Sequence, residues 1–249
     1  MPSLTADSTE FRQLLDALWS ELVDANSHFT LHQNLLKATP DYGMVFKQSN
    51  TFWTLTLSAH LDAVVLRLCK AYDRYDSKPT LNLRSLLETI KDNLHLFDEP
   101  NFRERLKDNP FVDSLAKESR KPDPVQLQVD LDFVSGNHLV RKLTDWRNKV
   151  YSHLSRDVVL NPKAFNTNSP LSFTDIKTLI DDGFTILNRY GGLFAANYYS
   201  KTMIGHDDYL WVLKTAKEAL QAYEARMEAE FKAIQTAVSG EETEPSDLS

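Results

Sequence analysis

The stretch Leu139-Val140-Arg141-Lys142-Leu143-Thr144-Asp145-Trp146-Arg147-Asn148-Lys149-Val150-Tyr151-Ser152-His153-Leu154-Ser155-Arg156-Asp157 decides the fold class. Its apolar residues Leu139, Leu143, Trp146, Val150 and Leu154 recur at steps of four, three, four and four. At about 100° per residue, these positions form one stripe on an α-helix. Arg147 and His153 fall on opposite flanks of that stripe, about 60° either side of its centre and roughly 9 Å apart along the axis. Both therefore sit at the edge of whatever the stripe packs against. Arg141, Lys142, Arg147, Lys149 and Arg156 face only Asp145 and Asp157 within the window, which is net positive in a chain of net charge -7. A local attraction for phosphate follows.

The same periodicity continues outward. Trp53, Leu57, Leu61, Val64, Leu68 and Tyr72 share one face of a second helix, predicted over Asn50 to Tyr75. Further helices are predicted over Asp7–Ala38, Leu83–His95, Val125–Ser155 with a bend near Gly136, Ser172–Tyr190, and Asp207–Val238. Thr39–Gly43 reads as a break, and Asp98–Arg120 as short helices or a surface excursion. Lys121-Pro122-Asp123-Pro124 is a sharp stop, because each proline disfavours helix at the residue before it. Ser172 and Asp175 are spaced as helix-capping residues. Gly191-Gly192 reads as the end or a bend of that helix. No segment shows clear period-two alternation, and no internal repeat is found. The fold class is all-α. Residues 1–238 read as a single helical domain, and 239–249 as a disordered acidic tail without apolar anchors.

Composition narrows the function classes. With 249 residues and 42% hydrophobic content the chain can bury one sizeable core. Its pI of about 5.5 gives no general attraction to nucleic acid, so such contact must rest on a local patch. DNA is not expected as a partner. The single cysteine, Cys69, sits in the apolar run Val64-Val65-Leu66-Arg67-Leu68-Cys69 and reads as a packed thiol in a reducing compartment. The N-terminus lacks the basic start and apolar stretch of a signal peptide. No uninterrupted apolar run approaches the roughly 20 residues a membrane helix needs. A cytoplasmic protein with no membrane partner is the expectation.

An Arg, a polar residue, four more residues and a His, late in a helix of an all-helical chain, resembles the R-x(4–6)-H signature of the HEPN superfamily. Asp145-Trp146-Arg147-Asn148-Lys149-Val150-Tyr151-Ser152-His153 more specifically resembles its abortive-infection U-type (AbiU-like) branch. So do Phe52-Trp53-Thr54-Leu55 and Leu66-Arg67-Leu68-Cys69-Lys70-Ala71-Tyr72-Asp73. The resemblance covers roughly Asn50 to Asp157. It implies an antiparallel helical bundle with extra helices that dimerises through the motif helices. It implies metal-independent RNA cleavage in many members, toxin or antiphage roles, and some members that bind without cutting. A partner antitoxin belongs to the same expectation. Toxins of this class silenced by a nucleotidyltransferase often carry Tyr two residues after the His; that position is Ser155 here, so this mode of silencing is not expected.

The residue types suit that chemistry. RNA supplies its own nucleophile, the 2′-hydroxyl, and a His can take or give that proton near neutral pH. An Arg can hold the scissile phosphate with two hydrogen bonds. The resemblance assigns His153 as acid/base, Arg147 as phosphate clamp and Asn148 as an orienting group. Lys149, Tyr151 and Arg156 are the substrate-contacting candidates; no metal and no cofactor is expected. The plain alternatives are a HEPN module that binds RNA, a nucleotide or a protein without cutting, and a structural helical protein in which Arg147 makes a surface ion pair and His153 caps carbonyls.

Other polar residues read as structural. Arg67 and Asp73 are expected to satisfy one another, with His60, Asp62 and Arg74 beside them on the second helix. His28 and His32 are spaced for a metal but expected on the surface. Tyr190, Tyr198 and Tyr199 are read as core rather than base-stacking platforms. On the last helix, Glu218, Glu224, Glu228 and Glu230 alternate with Lys217, Arg226 and Lys232 as a solvated face.

Overall fold

The computed structural model describes residues 7–73, 80–118, 120–148, 171–202 and 205–241. All regular structure among them is helical, as the periodicity predicts. In chain order the helices are α1 (Ser8–Gln48), α2 (Asn50–Ala71), α3 (Leu83–Asp92), α4 (Glu99–Arg105), α5 (Val112–Leu115), α6 (Pro124–Gly136), α7 (His138–Trp146), α8 (Phe173–Ala195) and α9 (Asp208–Glu241), with a 3-10 turn at Leu94–Phe97. Of the expected acidic tail, 239–241 continue α9, and 242–249 lie outside the described residues.

The described chain packs as two units. One draws on Met1–Thr30 and Ala59–Ile204, the other on Leu31–Ser58 and Gly205–Ser249. The proline-rich stop at Lys121–Pro124 lies inside the first.

The first unit holds the large core. Phe11, Leu15, Leu18 and Leu22 of α1 meet Val64 and Leu68 of α2, Leu86 and Ile90 of α3, and Phe184 and Leu187 of α8. Phe11, Phe97 and Phe194 close one end of it, with centroids 4.7–5.9 Å apart. By length and composition α2 is the one described helix apolar enough to cross a bilayer. Its second half is built into this core through Val64, Val65, Leu68 and Cys69. Tyr72 follows, donating a 2.6 Å hydrogen bond from its hydroxyl to the Leu179 carbonyl. Asp130 of α6, buried, accepts from Gln126 at 3.0 Å, from the Tyr190 hydroxyl at 2.8 Å and from Arg189, so its charge is paired inside the core.

The second unit is smaller. Leu35, Ala38, Val45 and Leu213 are its buried core, surrounded by Phe46, Trp53, Leu57, Tyr209 and Leu220. Here the expected break at Thr39–Gly43 is a kink instead. Pro40 lies within α1, and only Tyr42 leaves helical geometry, at φ -122° and ψ 24°. A proline deletes one backbone hydrogen bond, which bends a helix without necessarily ending it.

Two other boundaries differ from the sequence reading. The helix expected over Val125–Ser155 breaks outright at Asn137 (φ -58°, ψ 142°), whose Oδ1 accepts the Leu139 N–H at 2.8 Å and caps a new helix. Conversely α8 does not end at Gly191-Gly192 but runs to Ala195, from the capping box that Ser172 and Asp175 form. The glycines serve close approach. A Cβ on Gly191 would sit 3.3 Å from the Asn197 carbonyl, and one on Gly192 2.8 Å from the Tyr198 ring, so the chain leaving α8 can fold back along it. Its last carbonyls are covered by arginines: Arg105 donates to Phe194 O at 2.8 and 3.0 Å, and Arg120 to Gly192 O at 3.3 Å. Burial, and Arg12 nearby, bring Arg105 down to about 10.

Candidate functional site

α7 exists because Asn137 caps it and because Leu139, Val140 and Leu143 bury one face in the first unit's core. Lys142, on the flank of that face, donates to Asp175 at the start of α8, at 3.2 Å. The helix widens to a π-type turn at Arg147-Asn148. Here the guanidinium meets the end of α2: Arg147 Nη1 donates to Asp73 Oδ1 at 2.7 Å, and Arg147 Nε to Asn148 Oδ1 at 3.2 Å. Arg147 and Asp73 are 22% and 17% exposed, so the pair is shielded but reachable. Among the described residues, Nη2 of Arg147 has no partner. Asp73, 74 residues away, and the adjacent Asn148 thus fix the plane and direction of one guanidinium.

Cys69 lies beneath this pair. Burial pushes its thiol up to about 12; Asp73 adds to the rise and Arg147 opposes it. Such a thiol is not a nucleophile at neutral pH, and Cys69 is the packed residue expected from sequence.

Of the six sequence-predicted site residues, Arg147 and Asn148 are placed together. Lys149, Tyr151, His153 and Arg156 lie outside the described residues. The structure corrects the company they keep. Asp73 does not pair with Arg67. Arg67 instead bridges Glu21 at 3.0 Å and Asp24 at 2.9 Å on α1. Helical spacing held the signal: six residues turn through about 600°, which puts Arg67 and Asp73 on different faces of one helix. The basic window is also less basic in space than in sequence. Of its described cations, Lys142 and Arg147 are both paired with carboxylates from other elements, and Arg141 is exposed.

His28 and His32 are likewise not two surface residues. His32 is buried, at 5% exposure, and His28 Nδ1 lies 2.8 Å from Nδ1 of His60 on α2. At that distance one ring donates and the other accepts, so the pair shares one proton. Burial, reinforced by Arg67 and opposed by Asp24, lowers the pKa of His28; burial lowers that of His32. Among the described residues no three His, Cys, Asp or Glu side chains gather as metal ligands do. Tyr190 is core, and Tyr199 stacks on Trp19 at 4.3 Å, but Tyr198 is 73% exposed, against the expectation for all three.

An all-helical chain that presents an Arg-Asn pair at a helix end, with a His six residues after the Arg, has the make-up of a HEPN module. The HEPN family model described as AbiU2 matches residues 8–234, and the chain belongs to that family. No curated protein and no solved structure matches it.

Proposed function

We propose that this HEPN protein is a metal-independent endoribonuclease that acts as a toxin or in antiphage defence, in the cytoplasm, as a homodimer whose two motif helices share one cleft. The observation that supports the reading most is the preset guanidinium of Arg147, aimed by Asp73 and Asn148 in a member of this family. In the reaction His153 takes the proton of the RNA 2′-hydroxyl as that oxygen bonds to phosphorus. The bond from phosphorus to the 5′-oxygen breaks, and the leaving oxygen takes a proton from a second acid, His153 of the second copy. Arg147 holds the non-bridging oxygens through the charge build-up. The products are a 2′,3′-cyclic phosphate and a 5′-hydroxyl. Lys149, Tyr151 and Arg156 contact the RNA strand. A partner that silences the toxin does so other than by modifying a Tyr two residues beyond the His, because that residue is Ser155.

Incubation of purified protein with total RNA in EDTA, with analysis of the cut ends, tests this. Wild type yields cyclic phosphate ends, and His153→Ala or Arg147→Ala loses at least about 100-fold in rate. Variants that cut as fast as wild type overturn the assignment.

A second reading has one observation in its favour. Arg147 and Lys142 are already engaged by Asp73 and Asp175, which lowers their pull on phosphate. A module that binds RNA or a nucleotide without cutting fits that state. It predicts measurable affinity, unchanged by His153→Ala, and no cleavage.

A further inference from the structure

α9 outgrows the unit it belongs to. Tyr209, Leu213, Ala216 and Leu220 pack on Leu35, Val45 and their neighbours. The same stripe then continues past the packing as Tyr223, Met227, Phe231 and Ile234, which are 56%, 43%, 61% and 62% exposed. From Tyr209 to Ile234 the apolar steps are four, three, four, three, four, four and three, close to the 3.6-residue repeat, so the stripe runs straight along the helix. Every residue from 221 to 237 is exposed, about 25 Å of helix with an apolar edge.

The charged residues of this segment are ordered antisymmetrically in sequence about position 228. Glu224 mirrors Lys232, and Arg226 mirrors Glu230. A second copy of the helix, laid antiparallel with its two-fold axis at 228, thus meets an opposite charge on the rim that carries Arg226 and Glu230, whereas Lys232 turns toward the far face. There Arg226, which bridges Glu230 of its own helix at 3.2 Å, also faces Glu230 of the second copy. The same axis drops Met227 between Met227 and Phe231 of the other helix, and Tyr223 between Phe231 and Ile234, as knobs into holes. Glu228 meets its own mate at the axis, where Lys232 of its own helix, 2.8 Å away, offsets the charge.

The area is sufficient. The four exposed side chains present roughly 450 Å² per copy, and a pair with its flanking aliphatic stems buries about 1,200 Å², the lower end of specific interfaces. We infer that residues 221–237 of α9 form a homotypic, antiparallel two-helix interface with a second copy of this chain, a contact separate from the motif-helix dimer proposed above.

Position-specific crosslinking of the full chain tests it without reference to any other self-association. With a short bis-maleimide, Met227→Cys gives a crosslinked dimer. Tyr223→Cys, about 15 Å from its mate in this arrangement, gives little, and Ala225→Cys on the far face none. Wild type, whose Cys69 is buried, is the blank. Arg226→Glu weakens association roughly tenfold and Arg226→Glu/Glu230→Arg restores it. All these sites are exposed in the single chain, and circular dichroism checks that each variant keeps its helices. Equal crosslinking at 223 and 227 means a parallel pair and overturns the arrangement. Crosslinking at 227 no stronger than at 225, or no rescue by the charge swap, overturns the interface.

Discussion

Arg147 shows how one residue's chemistry depends on partners far away in sequence. Asp73 is 74 residues distant, yet it sets the direction of the guanidinium and supplies its nearest negative charge. Asp73→Ala should leave Arg147 in place less well and cost about 1 kcal/mol of stability, a value moderated by the pair's partial exposure, readable as a shift in urea midpoint. Asp73→Asn keeps an acceptor but removes the competing charge, so RNA phosphate should bind severalfold more tightly in filter binding. An unchanged affinity would mean that Arg147 does not meet the phosphate. The histidines make a second prediction at this scale. His28 and His32 hold their protons less tightly when folded than when unfolded. The unfolded chain therefore takes up more protons as acid is added. The stability involved is fully present above the ordinary histidine value of about 6.5 and is lost as pH falls through the lower folded values. Urea midpoints should be flat from about pH 7 to 8 and decline below about 6.5, and His28→Gln, which removes one lowered group, should flatten the decline.

Among elements, α8 carries the sharpest tests, because its glycines look alike in sequence and differ in space. A Cβ on Gly183 would lie 2.7 Å from Leu22 Cδ1 and 3.1 Å from the Tyr72 hydroxyl, both in the core. Gly183→Ala should cost about 1–3 kcal/mol in an unfolding titration, as overpacking does. Gly192→Ala first meets the exposed Tyr198 ring, which can swing away, and should cost less than about 1 kcal/mol. Ala196 ends the helix at φ 51°, its N–H donating to Gly192 O at 2.9 Å. That left-handed conformation strains any residue with a Cβ, so Ala196→Gly should stabilise the protein by about 1 kcal/mol. A loss on Ala196→Gly would show that the strain is absent.

For the whole molecule, the two units differ in how much they bury. The first has a continuous core from six helices, whereas Leu35, Ala38, Val45 and Leu213 are the buried apolar residues of the second. Amides of 31–58 and 208–237 should therefore exchange with deuterium well before those of 64–69 and 176–190, by opening that leaves the first unit intact. Uniform protection across both units would instead indicate one cooperative fold. The division itself was not legible in sequence. α1 and α2 each contribute to both units without interruption, so no composition shift marks the change at residues 30 and 58.

The sequence by itself determined that the chain is helical, since stripes such as Leu139–Leu143–Trp146 and Val64–Leu68–Tyr72 can be satisfied in no other regular structure. It also determined the capping box at Ser172, the burial of Cys69 and the family to which the chain belongs, because each rests on residues within a few positions of one another. Tertiary structure decided what those local rules do not reach. Pro40 bends where it was expected to break, and Gly191-Gly192 admit a returning chain where they were expected to end or bend a helix. The Arg147 window, counted along the chain, is basic. Folded, two of its cations meet Asp73 and Asp175, because charge adds up over distance in space rather than over position in sequence.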